Sequence, residues 1–491
     1  MKAIVLAVFL LAVDVPGQTT QGVQLPLSGR TGQNGGVVVT QTPTPGVTSS
    51  VNTLNTNVQV QGPYTGSVPS GPLPGALTLK DAIRRGLAHN LGSIGLNNAV
   101  RQSHGQSRVA RSGLLPNLSA NLRENVQQTN LAAFGFSLPN APSIVGPFNY
   151  FDLRATLTQT VADFTMLNNY RAAQANAESA AHSAQDARDL VVFAVAGAYM
   201  QVLTTRQRID SVQAQIESAR TIFSQLQEQK NAGVVAQLDV SRSRVELQTQ
   251  QQRLLALQND LAKQKINLAR LVALAPTPNF ELADTVPFTP APDMTVELAM
   301  AEARQSRADL KAAETQVRAA ERARAAAGAE RLPSLAFSTD YGVIGKNPAR
   351  SHGTFTVVGS LRIPIWQGGR VEGAIAQADA AVDQRRAELE DLRGRVEAEI
   401  RAAFLDLDSS RSQMEVARSN QDLARETLQL ARERLDVGIT TTVEVVQAQQ
   451  SIAAADLDYI TTVYAYNMAK LALARALGKA EENVARFLPI P

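Results

Sequence analysis

Cysteine is absent from the 491-residue chain, and histidine occurs only as His89, His104, His182 and His352. Without cysteine the chain has no disulfide framework, thiolate metal site, cysteine nucleophile or lipid-modified N-terminal cysteine. The histidines do not stand at the spacing of a metal site, so we expect no resident metal. The 47 basic and 44 acidic residues leave a net charge of only +3, so nothing indicates a nucleic-acid partner.

Sequence motifs of catalysis are lacking as well. The chain has no phosphate-binding glycine loop and no serine, histidine and aspartate set typical of nucleophilic catalysis. Acidic pairs are frequent only because long segments are rich in charge. We therefore predict a protein that is not an enzyme and that carries no cofactor.

The N-terminal region differs in composition from the rest of the chain. Lys2 precedes eleven apolar residues, Ala3–Val13, a run too short to span a bilayer but suited to a secretory signal over 1–17. The alternative for this run is a buried strand. Residues 18–75 are rich in Gly, Thr, Gln, Pro and Ser and carry almost no charge, which predicts a flexible arm.

From residue 76 helical and extended patterns alternate. Leu115-Pro-Asn-Leu118 ends a helical pattern and opens a run of alternating apolar and polar residues. A stretch without proline follows, long enough for a helix of about 100 Å. The predicted elements of this first repeat, 76–275, are helices over about 78–112, 167–232 and 239–274 and strands over about 117–128 and 149–161.

The same order then recurs. Five prolines mark a linker over 276–294, and Leu332-Pro-Ser-Leu335 matches Leu115-Pro-Asn-Leu118 at an offset of 217 residues. The predicted second repeat, 295–478, has helices over about 295–330, 370–437 and 443–477 and strands over about 334–344 and 353–365, and a tail covers 479–491. The chain is thus a duplication of one helix–strand–strand–long helix–helix unit.

The four predicted strands each have one apolar face and the length of a tilted membrane strand. Four strands cannot close a membrane barrel, because the smallest such barrels use about eight. An open sheet in lipid would leave edge amides unpaired. The strands therefore form a soluble sheet, or several chains combine them, and three chains would supply twelve.

The long helices predict contacts on more than one side. Ile375, Val382, Leu389 and Val396 recur every seven residues, as in a coiled-coil seam. Alanines on other faces indicate a second contact surface, which a wall of helices would use. The alternative is an ordinary coiled coil in a structural periplasmic protein with a small soluble sheet.

The turns between the paired helices are related to each other. Gly233 and Gly438 stand 205 residues apart, and each permits a tight helix end. The residues predicted to be exposed beside them are Val234, Ile439, Thr440 and Thr441. We expect these tips to be the surface that a partner meets.

Two acidic residues follow the tips at equivalent positions, Asp239 and Glu444. In an assembly of three chains they would form a ring of six carboxylates that favours cations. Thr441-Thr-Val-Glu444 also fits a capping box, in which side chains bind the helix amides. For Glu444 we favour the capping role.

The ordered set of motifs resembles the outer-membrane efflux factor family, typified by TolC. It includes the duplicated order of elements, Leu-Pro before a strand, Ile363-Pro-Ile-Trp-Gln-Gly-Gly-Arg370 before a long helix, and Glu444-Val-Val-Gln-Ala-Gln449 beyond a tip. The resemblance covers about 77–480. It implies a mainly helical homotrimer whose strands form a twelve-stranded outer-membrane β-barrel continuous with a long periplasmic α-helical barrel.

The resemblance also implies a function and partners. The protein would be the outer-membrane duct of a tripartite efflux or type I secretion system, surrounded by outer-membrane lipid. Its tips would dock a periplasmic adaptor, and an inner-membrane pump would supply the energy. Family members often place a second acid three residues beyond Glu444, where this chain has Gln447.

Overall fold

The computed structural model describes residues 37–43, 54–60, 62–71, 75–135, 142–285, 289–437 and 439–488. Within them the helices are α1 (Leu79–His89), α2 (Leu91–Ser112), α3 (Phe164–Asn231), α4 (Gln237–Leu271), α5 (Val296–Ser306), α6 (Ala308–Ala329), α7 (Arg370–Asp436), α8 (Thr442–Ala476) and α9 (Ala480–Phe487). The strands are β1 (Val37–Pro43), β2 (Leu54–Val60), β3 (Asn117–Asn130), β4 (Ile144–Ala162), β5 (Ser334–Gly345) and β6 (Ser351–Arg362). The predicted signal segment, 1–17, lies outside the described residues.

Two copies of one unit follow each other along the chain. Each copy has two short helices, two antiparallel strands, a very long helix and a final helix. The long helices α3 and α7 contain 68 and 67 residues, about 100 Å each, and neither contains proline. A mainly helical fold with a small antiparallel sheet is therefore confirmed.

The opening helix of each unit is interrupted, unlike the single helices predicted over 78–112 and 295–330. Asn90 and Arg307 have extended backbones, with ψ of 135° and 122°. The amide of Asn90 donates to the carbonyl oxygen of Tyr64 at 2.8 Å, and its Oδ1 accepts from the backbone of Gly92. Both breaks are held by contacts outside the helix itself, which helical periodicity does not report.

The predicted arm and tail also differ from the structure. Within 18–75, β1 and β2 pair antiparallel, from Val37 opposite Val60 to Pro43 opposite Leu54. Within 479–491, α9 buries Val484 and Phe487 in the core. Composition underestimated both segments, because backbone pairing and a few apolar contacts to the rest of the fold are enough to order a short polar stretch.

The strands β3 to β6 form one antiparallel sheet in chain order, with β3 and β6 at its edges. Register places most of the apolar residues of the four strands on one face, where large side chains are exposed. The exposed apolar residues of this face include Leu118, Leu122, Val126, Leu153, Tyr341, Phe355, Val357 and Leu361. The opposite face carries Asp152, Arg154, Asp340 and Thr354, and the Arg154 guanidinium donates to Asp340 across β4 and β5. The sheet is therefore amphipathic, with its apolar face unpartnered in the single chain.

The long helices change partners along their length. Near the sheet, α3 packs on α2 and α6, and α6 packs on α7. Toward the other end α3 pairs with α4, α7 pairs with α8, and α3 and α8 lie side by side. The predicted seam of α7 holds in part, since Val382, Leu389 and Val396 are buried and Ile375 is half-buried. The result is a helical array in the order α4, α3, α8 and α7.

Among the described residues, α3 alone is long and apolar enough to cross a membrane by length and composition. Its most apolar window, however, is 78% buried within the protein. Val191, Val195 and Tyr199 of that region lie in the main hydrophobic core, with the Tyr199 hydroxyl donating to the carbonyl oxygen of Leu77 at 2.8 Å. We therefore interpret α3 as a core helix.

A buried arginine joins the start of the second unit to the end of α8. The Arg307 guanidinium, 3% exposed, lies 2.7 Å from carboxylate oxygens of both Asp309 and Glu399, and its Nη1 donates to the carbonyl oxygen of Ala476 at 3.3 Å. Burial lowers the pKa of Arg307, but hydrogen bonds and charge from Asp309 and Glu399 outweigh it and raise the pKa overall. The arginine thus remains charged at the point where α5, α7 and α8 meet.

Replacing Arg307 by alanine should destabilise the protein by about 2 kcal/mol, because the partly buried Asp309 carboxylate loses its counter-charge and the carbonyl oxygen of Ala476 loses its donor. Arg411→Ala is the matched control: that arginine pairs with Glu415 on the surface of α7, with both side chains about two-thirds exposed, and its loss should cost less than about 0.5 kcal/mol. Thermal unfolding of the purified protein measures the difference. Equal changes in Tm for the two variants would contradict this role.

Candidate functional site: the hairpin tips

The first tip joins α3 to α4 through Ala232–Ala236. Gly233 has φ of +78°, the left-handed conformation that favours glycine. Its N–H donates to the carbonyl oxygen of Lys230, and the N–H of Val234 donates to that of Gln229, both at 2.9 Å. These two bonds satisfy carbonyl groups at the end of α3 in the Schellman pattern and turn the chain sharply.

The second tip joins α7 to α8 through residues 437–441. Gly438 lies outside the described residues, but the N–H of Ile439 donates to the carbonyl oxygen of Arg434 at 2.8 Å. This bond has the same span as that between Val234 and Gln229 in the first tip. Both tips therefore end their long helix with the same backbone bond.

The two tips expose apolar side chains at one end of the helical array. Val234 is 73% exposed and Ile439 is 68% exposed, and Thr441 is exposed while Thr440 is half-buried. Leu238 and Val437 are exposed beside them, although sequence reasoning did not select either. The term tip surface is used below for Val234, Leu238, Val437 and Ile439.

A small hydrophobic cluster beneath the tip surface holds the two hairpins together. It contains Leu226, Val240, Leu428 and Val445, one residue from each of the four helices. Above it the Thr442 hydroxyl donates to Asp239 Oδ1 at 2.6 Å, which links the start of α8 to the start of α4. The two tips consequently form one continuous end of the molecule.

Glu444 does not form the predicted capping box. Thr441 makes no side-chain hydrogen bond to the helix that it precedes. The Glu444 carboxylate instead accepts from the Thr440 hydroxyl and lies 3.1 Å from Nη1 of Arg434. An arginine in the last turn of α7 thus pairs with the carboxylate that the capping pattern assigned to helix amides, and this half-exposed ion pair links the two ends of the turn.

The predicted ring residues have different surroundings in the single chain. Asp239 is mostly buried against Thr442, with Nη1 of Arg242 at 3.7 Å. Glu444 is about half exposed, and Gln447 is exposed on α8. Across the described ranges there is no group of three or more acidic or histidine side chains able to hold a metal ion. The tip is therefore a surface of exposed apolar side chains, and the polar side chains around it form hydrogen bonds and ion pairs within and between the two turns.

Comparison with known proteins identifies the same architecture elsewhere. A family model described as outer membrane efflux protein matches residues 97–274 and 299–479. The chain is 25% identical over 335 residues to the pyoverdine export outer membrane protein OpmQ of Pseudomonas putida, covering 67% of this chain and 68% of that protein.

Solved structures of low sequence identity share the fold. The outer membrane protein VceC of Vibrio cholerae superposes with a TM-score of 0.72 at 19% identity, over 82% of this chain and 96% of VceC. The open state of the MtrE outer membrane channel of Neisseria gonorrhoeae gives a TM-score of 0.70 at 15% identity, over 90% of this chain and 98% of MtrE.

The two segments matched by the family model contain both long helices and both tips. The resemblance inferred from the motifs is therefore confirmed, together with an outer-membrane location. Members of this family are transport channels rather than enzymes. The chain belongs to the outer membrane efflux protein family.

Proposed function

We propose that three copies of this chain form the outer-membrane duct of a tripartite efflux or type I secretion system. The proposal rests on one observation about the single chain. The edge strands of its sheet and the outer helices of its helical array both lack a partner. A closed ring of identical chains satisfies both sides at once. The duct is passive, and a partner pump supplies the energy.

The sheet needs further strands to exist in lipid. Edge strands β3 and β6 present unpaired amides and carbonyl groups, which lipid cannot satisfy. Pairing β6 of one copy with β3 of the next removes every edge, and three copies give twelve strands. The exposed apolar face of the sheet then contacts lipid, and the face with Arg154 and Asp340 lines the passage. A small soluble sheet, the alternative, would leave that apolar face in water.

The duplication supplies a register for this junction. Leu118 pairs with Leu157, and its equivalent Leu335 pairs with Leu361, so Leu361 corresponds to Leu157. Because Leu157 pairs with Thr339, and Thr339 lies 217 residues after Leu122, the junction between copies should place Leu361 opposite Leu122 of the next copy.

The outer helices of the array carry matching exposed stripes. On α7, Val416, Leu423 and Leu430 recur every seven residues and are all more than half exposed. Each stands two residues, or about 200° around the helix, after a buried residue such as Met414 or Leu428. Val245 and Leu255 on α4 are exposed as well. We call these sets the α7 stripe and the α4 stripe.

The α7 stripe and the α4 stripe can meet in one contact between neighbouring copies, in which each copy contributes a different surface. Since α4 and α7 are the outermost helices of the array, the α7 stripe of one copy faces the α4 stripe of the next when copies are placed side by side. Three chains would then close a ring of twelve helices in register with the ring of strands. The tip surfaces lie together at the far end of that ring, where a periplasmic adaptor would dock.

A planar-bilayer measurement tests the duct. The purified protein should run as a trimer in detergent by light scattering and should insert as a unit with one recurrent conductance. Protein that stays monomeric and forms no conducting channel would overturn the proposal.

The ring of six carboxylates is a second, finer prediction. Asp239→Asn combined with Glu444→Gln should reduce cation selectivity, because up to six negative charges leave the narrow end of the duct. The reversal potential across a salt gradient measures this change. Gln447→Glu is the matched gain of charge at the same end and should raise cation selectivity. Unchanged selectivity in all these variants would remove the ring.

A further inference from the structure

The two repeats of the chain are joined near the sheet by a contact between α3 and α6. The short helix α6 of the second repeat lies along the long helix α3 of the first. The hydroxyl of Ser179, which is 3% exposed, donates to the carbonyl oxygen of Ala312 at 3.0 Å. On the surface, Nη2 of Arg318 lies 2.9 Å from Oε1 of Glu178. We call this contact the α3–α6 junction.

Each helix of the α3–α6 junction has an equivalent in the other repeat. Helices α2 and α6 both contain 22 residues, and their first residues and their last residues are 217 positions apart. Along α3 and α7 the offset is 205, as it is between Gly233 and Gly438, and it relates the buried Val191 to the buried Val396. Helix α2 is therefore the equivalent of α6, and α7 is the equivalent of α3.

One face of α6 is covered, and its equivalent on α2 is not. The covered residues lie within about 60° of one another around α6, and they are at most 5% exposed: Ala312, Thr315, Ala319 and Ala326. Their equivalents on α2 are Gly95, Asn98, Gln102 and Val109. The last three are exposed, and Val109 is 73% exposed. Helix α2 therefore lacks the neighbour that α6 has in α3.

Helix α7 lacks a neighbour on the corresponding side. It packs on α6 as α3 packs on α2, so residues that are buried on α3 and exposed on α7 mark the side that α6 covers on α3. Ala172 and Ser179 of α3 are 6% and 3% exposed. Their equivalents on α7, Gln377 and Gln384, are exposed. The uncovered sides of α2 and α7 are thus the two halves of a contact that the chain already forms internally.

The charges on these two sides are complementary. Helix α2 carries three arginines and no acidic residue, and its Arg101 forms no ion pair within the part of the chain that the structure describes. On α7, every acidic residue up to Glu399 pairs with a described arginine except Asp383. Arg101 and Asp383 are both exposed. The offsets relate them to the paired Arg318 and Glu178 (318 − 217 = 101 and 178 + 205 = 383).

We propose that α7 of one copy packs against α2 of the next copy in the geometry of the α3–α6 junction, with Asp383 paired to Arg101 between the copies. The occupant is a second copy because this chain holds both halves of the contact and both charges of the pair. The contact is also continuous with the proposed strand junction, since β6 leads into α7 and α2 leads into β3. The inference rests on the trimer proposed above and assigns its helix contact next to the sheet, far from the α7 and α4 stripes.

The ion pair has a measurable effect because the ring repeats it. An exposed ion pair changes an equilibrium constant by about twofold to fivefold. Three such pairs close one trimer, so the loss of all three should raise the dissociation constant of the trimer by at least about tenfold. A reversal of one charge has a larger effect than its removal, because it places like charges opposite each other at all three contacts.

The test compares Arg101→Glu, Asp383→Arg and the variant that carries both changes. Light scattering of the full-length protein over a dilution series, at a temperature where the wild-type trimer is half dissociated, gives the dissociation constant. Each single reversal should raise it by at least about tenfold. The double variant, which restores opposite charges with exchanged positions, should return to within about threefold of the wild type. A higher salt concentration should reduce the differences, because the pair is exposed.

The control is Arg318→Glu, which makes the same reversal at the equivalent pair within one chain and should leave trimer dissociation unchanged. The proposal is overturned if the effects of the two single reversals simply add in the double variant, or if all variants dissociate like the wild type. A wild-type protein that is monomeric under every condition would overturn the duct itself. A wild-type trimer that shows no coupling between residues 101 and 383 would overturn only the contact between α2 and α7.

Discussion

Glutamate in place of both Val234 and Ile439 is expected to reduce export to the level of cells that lack the protein. The two side chains are 73% and 68% exposed and are two of the four residues of the tip surface. A partner that docks there must bury them, and a charge at such a position opposes burial. Losses at central interface residues reach about 2 kcal/mol or more each, which corresponds to at least about 30-fold in affinity for the adaptor.

The same variant should remain a normal channel. Neither side chain belongs to the hydrophobic cluster beneath the tips, so trimer formation and bilayer conductance should not change. Val234→Leu with Ile439→Leu is the conservative control and should export normally. An efflux assay in cells, compared with conductance of the purified trimer, separates docking from folding. Normal export by the glutamate variant would place the docking surface elsewhere.

Aspartate at both Leu423 and Leu430 is expected to prevent assembly of the trimer. Both leucines lie in the α7 stripe and are 57% and 51% exposed in the single chain. In the proposed ring each is buried against α4 of the next copy. Each aspartate would carry a charge into an apolar contact, at a cost of at least about 2 kcal/mol per position, and the ring repeats that cost three times.

The fold of the individual chain should survive this change, because the stripe faces away from the buried side of α7. Helical content by circular dichroism should match the wild type, while light scattering should show monomers. Gln429→Glu is the control, since Gln429 is exposed but lies about 100° away from the stripe. Intact trimers in the double aspartate variant would rule out the α7–α4 contact.

Much of the fold can be predicted from where proline occurs in the sequence and where it does not. The two Leu-Pro motifs, the Pro-rich linker and the long stretches without proline predict the order of elements, because each has a local physical effect on the backbone. The breaks at Asn90 and Arg307 were not predictable in this way. Helical spacing continues through both, and the contacts that hold them involve Tyr64 and Glu399, far away in sequence.

The tip residues likewise divide into those that the sequence predicts and those that it does not. Gly233 and the exposed Val234 were identifiable because a glycine between two long helices has few other roles. The partner of Glu444 was not, since Thr441-Thr-Val-Glu444 has the pattern of a capping box and only the folded turn brings Arg434 within 3.1 Å of the carboxylate. Leu238 and Val437 lie next to the two turns, so a more accurate prediction of the helix ends would have identified both as exposed.

The small pocket between α3, α4, α7 and α8 depends on contacts that a sequence pattern does not report. Gln215, Glu246 and Asp456 come from three helices and from both repeats. Each alone is an ordinary polar residue of a charged helix, and heptad spacing assigns it no special role. Their meeting depends on α3 and α8 lying side by side, which follows from packing between the repeats and not from either repeat alone.

The central claim, that identical chains close one barrel, is tested most directly by crosslinking across the predicted junction. Because the chain has no native cysteine, the variant Leu122→Cys with Leu361→Cys contains no other thiol that could form a disulfide. Within one chain these positions lie on opposite edges of the four-stranded sheet, about 14 Å apart across it at 4.8 Å per strand. They are also eight residues apart along it, because the register places Leu122 in line with Gly353 (361 − 353 = 8), so the separation is too large for a disulfide. On oxidation in membranes, we predict covalent trimers on a non-reducing gel, with none from either single variant. The off-register pair Leu122→Cys with Val357→Cys should give little or no product. If the predicted pair leaves only monomers while the protein is present in the outer membrane, the twelve-stranded barrel with this register is wrong.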